Sequence, residues 1–167
     1  KEFDLGIVRC QVLYEPFFLK MIQDEHLDSK VLWQFSPKVL MSPSHPLAGK
    51  EPLDHLDFSQ SVELLQGDIQ YPSFTPENTD CVLPRHTIYI YDRGSQYEFL
   101  RHLPGAYMWT SPVPYSTLTE AKLIQRECTR PDNVFKDLLV CRSNYRLSKA
   151  ETELTQWLGR TISQLSD

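Results

Sequence analysis

Residues 39–48 read Val-Leu-Met-Ser-Pro-Ser-His-Pro-Leu-Ala, a hydrophobic strand that stops in a double-proline turn. Pro43 and Pro46 each fix φ and remove a backbone donor, and Pro43 also biases Ser42 away from helix. No regular element can run through this point. The chain must end a strand at Ser42 and set out in a new direction.

The remaining elements follow from punctuation and period. Residues 3–8 read as a short buried strand, so the chain begins almost on a core element and looks like a piece of something longer. Pro16 suits the first turn of a helix whose apolar face is Phe17, Phe18, Met21 and Ile22. Residues 31–35 and 38–42 form two strands around Ser36-Pro37, 53–58 a helical turn, and 61–65 a strand ending at Gln66-Gly67-Asp68. Residues 69–85, with Pro72, Pro76 and Pro84 among Ser, Thr, Asn and Asp, have loop chemistry, and ordered loops of that length are often functional. A strand over 87–91 leads to Ser95 and Glu98 in capping-box register, predicting a helix from Ser95 toward His102 that Pro104-Gly105 ends. Residues 106–110, 123–126 and 135–142 complete the strands. Strand, helix and strand in alternation predict an α/β sandwich with a largely parallel sheet. Ser148 and Glu151 form a second capping box, after which Leu154, Trp157, Leu158, Ile162 and Leu165 recur at helical spacing. That stripe is expected to pack on the sheet, and Trp157→Ala to cost about 3–5 kcal/mol if the ring is buried.

Charge and cysteine usage exclude several classes. Seventeen Lys and Arg against 22 Asp and Glu leave a net charge of −5, so the chain by itself lacks the basic surface that binds nucleic acid. Cys10, Cys81, Cys128 and Cys141 contain no CxxC pair and are expected to be reduced. No apolar stretch approaches the roughly 18 residues of a membrane span, and the expected setting is the cytoplasm. The five histidines never fall at i, i+4, and no G-x-S-x-G, P-loop or G-x-G-x-x-G occurs, so no catalytic residue, metal or cofactor is assigned.

Four segments carry a family resemblance. Asp4-Leu5-Gly6-Ile7-Val8 resembles the D-L-A/G-I-V strand of the effector-binding domain of LysR-type transcriptional regulators, and residues 39–48 resemble its lobe-crossing strand with the H-P-L-A turn. Residues 61–68 are similar to the strand that follows, and 94–112 to the helix, glycine turn and strand that close the second lobe. The resemblance implies an α/β, two-lobe, type 2 periplasmic-binding-protein-like fold with an incomplete first lobe. Lobe I would take residues 1–41, lobe II residues 42–139, and 140–167 would return to lobe I with a terminal helix. It implies a regulatory domain, not an enzyme, that binds a small-molecule effector, such as a carboxylate, between its lobes. DNA would be bound only by a winged helix-turn-helix outside these residues, within a dimer or tetramer and with no membrane partner. The family domain opens with two further strand-helix units, on the order of 50 residues, before the D-L-G-I-V strand. Without them, sheet edges are exposed, so self-association or a rearranged first lobe is expected. A solute-binding protein of the same fold, delivering its ligand to a transporter, is the alternative.

On that reading the ends of strands supply the effector site. The candidates are Arg9 and Cys10 after the first strand; Gln66, Gly67 and Asp68; Tyr71, Pro72, Ser73 and Phe74 in the following loop; Ser95 at a helix start; and Trp109, Thr110 and Ser111. Each has a plainer explanation. Arg9 is either a fork for a ligand carboxylate or a partner in an ion pair; Trp109 is either a site wall or a core ring. Ser95 is accounted for by its cap alone, and Asp68 by turn chemistry.

Overall fold

The computed structural model describes residues 3–67, 86–129 and 134–165. The chain divides into two compact units, one of Lys1–Pro37 with Pro131–Asp167 and one of Lys38–Arg130. In chain order the elements are β1 (Leu5–Gln11), α1 (Glu15–Asp24), β2 (Leu27–Phe35), β3 (Lys38–Met41), β4 (Leu53–Asp54), β5 (Val62–Gln66), β6 (His86–Ile90), α2 (Arg93–His102), β7 (Ala106–Thr110), α3 (Tyr115–Ala121), β8 (Ile124–Arg126), β9 (Cys128–Thr129), β10 (Phe135–Arg142) and α4 (Lys149–Ser163).

The first unit is built on a three-stranded sheet in the order β1-β10-β2, antiparallel throughout. β10 is the middle strand, paired on both sides, and its residues Asp137, Leu138, Leu139 and Val140 are all buried. Helix α1 covers one face: Cys10, Ile22, Leu138 and Val140 form the core there, with Val8, Phe18, Leu19 and Leu27 packed around it. Pro16 sits in the first turn of α1 as expected. β2 begins at Leu27, earlier than its composition suggests, because pairing with β10 carries the polar stretch Asp28-Ser29-Lys30 into the ladder.

Helix α4 begins as predicted. Ser148 Oγ accepts from the Glu151 amide at 3.3 Å, and the Glu151 carboxylate accepts from the Ser148 amide at 2.7 Å. The expected burial of its stripe is overturned. No residue of α4 is buried; Leu154 is 47% exposed and Trp157 57% exposed. The 3–5 kcal/mol expected for Trp157→Ala therefore does not apply, since more than half of the ring already faces solvent.

The second unit holds a five-stranded sheet in the order β6-β5-β7-β3-β8. β5 is parallel to both β6 and β7, whereas β3 is antiparallel to β7 and β8, so the sheet is mixed rather than largely parallel. The reason is one reversed strand: β5, β6, β7 and β8 share a direction and β3 runs against them, with α2 between β6 and β7 returning the chain to the same starting edge. β3 is the opening run of the sequence. Val39, Leu40 and Met41 are each 0% exposed because β3 lies between two strands of a sheet packed on both faces. Leu40 points into a core with Leu64, Ile90, Leu100, Ala106 and Leu123. Val39 and Met41 point into the opposite one, with Leu53, Phe58 and Tyr107.

The strand ends at the double-proline turn, whose backbone is closed by hydrogen bonds from the His45 amide to the Ser42 carbonyl and from the Ala48 amide to the His45 carbonyl. Helix α2 starts two residues before the predicted position. Asp92, not Ser95, is its N-cap, and Asp92 Oδ2 accepts from both the amide and the hydroxyl of Ser95. A carboxylate outcompetes a hydroxyl for that post because it also complements the positive end of the helix, and these donors hold the Asp92 carboxyl below its usual range.

Candidate functional site

Because β5, β6 and β7 are parallel, their carboxyl ends open on one edge of the second unit's sheet. In open α/β sheets ligands bind outside such strand ends. Gln66 and Gly67 lie at the end of β5, the first turn of α2 follows β6, and Trp109 and Thr110 end β7. Lys38 is the register partner of Thr110, and Val39 pairs with both Trp109 and Arg126, so the antiparallel strands bring Lys38 and Arg126 to the same edge.

A small polar network fixes this edge. The Gln125 side-chain amide donates to Thr110 Oγ1 at 2.7 Å and to the Ser111 carbonyl at 2.9 Å, and its Oε1 accepts from the Val113 amide at 3.0 Å. Thr110 and Ser111 are thus held by a residue that sequence reasoning passed over. A glutamine inside Ile-Gln-Arg carries no local signal, because its role depends on the β3–β8 pairing. Gly67 donates its amide to the Ile90 carbonyl at 2.9 Å and lies under the Tyr91 ring, where an added Cβ would stand 2.7 Å from Cζ. Trp109 is half-buried, with its ring 6.5 Å from that of Phe58. Gln96 in the first turn of α2 is 5% exposed, and its Nε2 has no hydrogen-bond partner among the described residues. Asp68, Tyr71, Pro72, Ser73 and Phe74 lie outside the described residues.

Beside this edge a shallow depression of about 650 Å³ opens, lined by Lys38, Gln125 and Arg126 with residues 51–53 and 127–129. Lys38 Nζ stands 3.3 Å from Glu127 Oε1, and Arg126 Nε stands 3.5 Å from Glu51 Oε1. Among the described residues no three His, Cys, Asp or Glu side chains gather as metal ligands.

Arg9 and Cys10, both in the first unit, are engaged differently. Arg9 gives Asp137 two parallel hydrogen bonds, Nε to Oδ1 at 2.7 Å and Nη2 to Oδ2 at 2.8 Å, and its guanidinium stands 4.8 Å from the centroid of the Phe35 ring. Trp33 and Phe135 flank Phe35 at 4.4 and 6.0 Å between ring centroids. The planar fork expected to clamp a carboxylate does so here with one from the protein itself. Asp137 had a readable signal, since a lone acid within Phe-Lys-Asp-Leu-Leu-Val must find a partner if the strand is central. Cys10 is 2% exposed within the core under α1. Burial, reinforced by the nearby Glu15 carboxylate, pushes its thiol above the usual range and makes it a poor nucleophile.

His45, read as a turn residue, is 4% exposed and faces Phe58 at 6.2 Å between ring centroids. Its Nδ1 accepts from the Leu47 amide at 3.0 Å, so the proton of the neutral ring sits on the buried Nε2. Burial lowers its pKa below the ordinary 6.5, and the Gly105 carbonyl opposes that only in part. The unfolded chain therefore takes up this proton more readily than the folded one, and stability must fall as pH falls. The His45 contribution is complete above about 6.5 and is lost progressively below it. Thermal unfolding followed from about pH 7.5 to about pH 5 should show a declining midpoint, and His45→Asn, which keeps an acceptor for Leu47, should flatten that decline. An unchanged slope in the variant would assign the pH dependence to other groups.

No family model matches the chain, and no curated protein matches it. Solved structures do. The regulatory domain of MetR, a LysR family regulator from N. meningitidis, superimposes with a TM-score of 0.59 at 15% identity, over 96% of this chain and 70% of that one. A putative LysR family transcriptional regulator from Pseudomonas aeruginosa gives 0.62 at 16% identity, over 96% of this chain and 53% of that one. The effector binding domain of QuiR, in complex with shikimate, gives 0.56 at 15% identity, over 97% and 73%. The fold is that of LysR-family effector-binding domains, of the type 2 periplasmic-binding-protein-like class, and the chain spans only part of each of these proteins.

Proposed function

We propose that this chain is part of the ligand-sensing regulatory domain of a LysR-family transcription factor. The observation that carries the reading is the likeness to such domains over nearly the whole chain, one of them holding a small molecule. The strand-end edge of the second unit supports it. Gln66 and Thr110 end parallel strands, Ser95 lies in the first turn of the helix after β6, and Gln125 donates to Thr110 beside the half-buried Trp109, so this edge offers both polar groups and an apolar wall, as small-molecule sites do. Asp68, Ser73 and Phe74 belong to the proposed site by sequence position. The ligand would act by favouring one conformation of the parent protein over another, since only differential binding shifts such a balance. No helix among the described residues is long and apolar enough to cross a membrane. A cytoplasmic setting, self-association as a dimer or tetramer, and DNA contact through a domain outside these residues complete the proposal; the net charge of −5 agrees with the last. A chain that binds its effector and does no chemistry on it should gain about 2.7 kcal/mol of stability at ligand 100-fold above Kd. Thermal shift against a panel of small carboxylic acids tests this, with Gln66→Ala and Thr110→Val expected to abolish the gain. Turnover of the stabilising compound would make the chain an enzyme instead.

A further inference from the structure

We propose that the depression beside β3 and β8 takes a small zwitterion with one carboxylate and one ammonium group, of the α-amino acid class. The argument is an asymmetry between its charges. The two cations are the more enclosed partners: Lys38 and Arg126 are 33% and 34% exposed, and Arg126 is also anchored by donating from Nε to the Ala48 carbonyl at 3.3 Å and from Nη1 to the Gln125 carbonyl at 3.4 Å. Their carboxylate partners are not enclosed. Glu127 is 86% exposed and Glu51 76% exposed, and ion pairs made with such exposed groups contribute little.

A ligand carboxylate can therefore take the place of Glu127 and Glu51 on the enclosed cations, Arg126 above all, and the displaced glutamates are then available to a ligand ammonium close by. The site is neutral before binding and stays neutral after it. A simple anion would instead meet two unpaired glutamates, and a simple amine two enclosed cations, each a like-charge penalty. The exposed Pro52 and half-buried Cys128 lie in the lining, giving an apolar side chain somewhere to rest.

This inference rests on the effector-sensing reading and names a ligand class for it. Its test is calorimetric titration of the chain with the standard L-α-amino acids, each beside the matching α-keto acid and primary amine. At least one amino acid should bind, with its keto acid and amine at least about tenfold weaker, the loss of roughly one charged contact. Arg126→Gln should weaken the amino acid about 10- to 100-fold. The double variant Glu51→Gln, Glu127→Gln, both at exposed positions, should weaken the amino acid and leave or improve the keto acid. Equal binding of amino acid and keto acid, or insensitivity to the glutamate variants, would overturn the zwitterion. If no amino acid binds while another compound stabilises the chain, the zwitterion fails and the effector reading stands; if nothing stabilises the chain, both fail.

Discussion

Leu40→Ala should destabilise the second unit by about 3–5 kcal/mol, toward the upper end of what leucine truncation costs in a closed core. Leu40 is 0% exposed, its strand is hydrogen-bonded on both sides to Met108 and Gln125, and its side chain meets Leu64, Leu100 and Leu123. A central strand clamped by two neighbours cannot move to fill the space, so the cavity term is felt nearly in full. Urea unfolding followed by circular dichroism checks it, with Trp157→Ala as the comparison. The tryptophan, 57% exposed, should cost no more than about 1–2 kcal/mol despite its larger side chain. A reversed order would mean that the α4 stripe is covered in solution by something the isolated chain does not show.

The Arg9–Asp137 pair should be asymmetric under mutation. Arg9→Met is expected to cost about 2–3 kcal/mol, below the 3–5 for breaking a fully buried pair because Arg9 is half-exposed. Its side chain is 48% exposed against 12% for Asp137, so removing the arginine strands a desolvated carboxylate in the middle strand of the sheet. Asp137→Asn leaves a guanidinium that water can reach, and about 1 kcal/mol is expected. The double variant Arg9→Met, Asp137→Leu should recover most of the loss, since replacing both charges with apolar groups removes the stranded ion. Denaturant midpoints for the three variants decide the matter; equal losses in the two single variants would show that Asp137 is better solvated than its burial indicates.

Local chemistry was legible where local chemistry decides. The capping box at Ser148 and Glu151, the proline at the start of α1 and the strands over β5, β6, β7 and β10 all stand where composition and period put them, because each depends on contacts a few residues apart. What failed turned on a competing partner or on packing that spacing alone does not report. Ser95 was a plausible cap until Asp92, three residues earlier, supplied a charged one. The α4 stripe has the spacing of a core face, yet spacing states only that a face exists, not that anything covers it. The site was legible in outline only: Thr110 could be named from its strand end, whereas Gln125, which fixes it, became visible only through the β8 pairing.

The run at residues 39–48 shows both halves. The sequence by itself determined that a strand of three large apolar residues in succession must be buried on both faces, and that Pro43 and Pro46 must end it, since side chains alternate and proline cannot donate. Only the tertiary structure decided the rest. It made β3 antiparallel in an otherwise parallel set, turned His45 inward against Phe58, and set Lys38 beside Thr110 and Glu127. Those outcomes depend on which strands lie beside β3 and in which direction they run, and pairing between segments about 70 to 90 residues apart is fixed by packing of the whole unit, not by any residue's local preference.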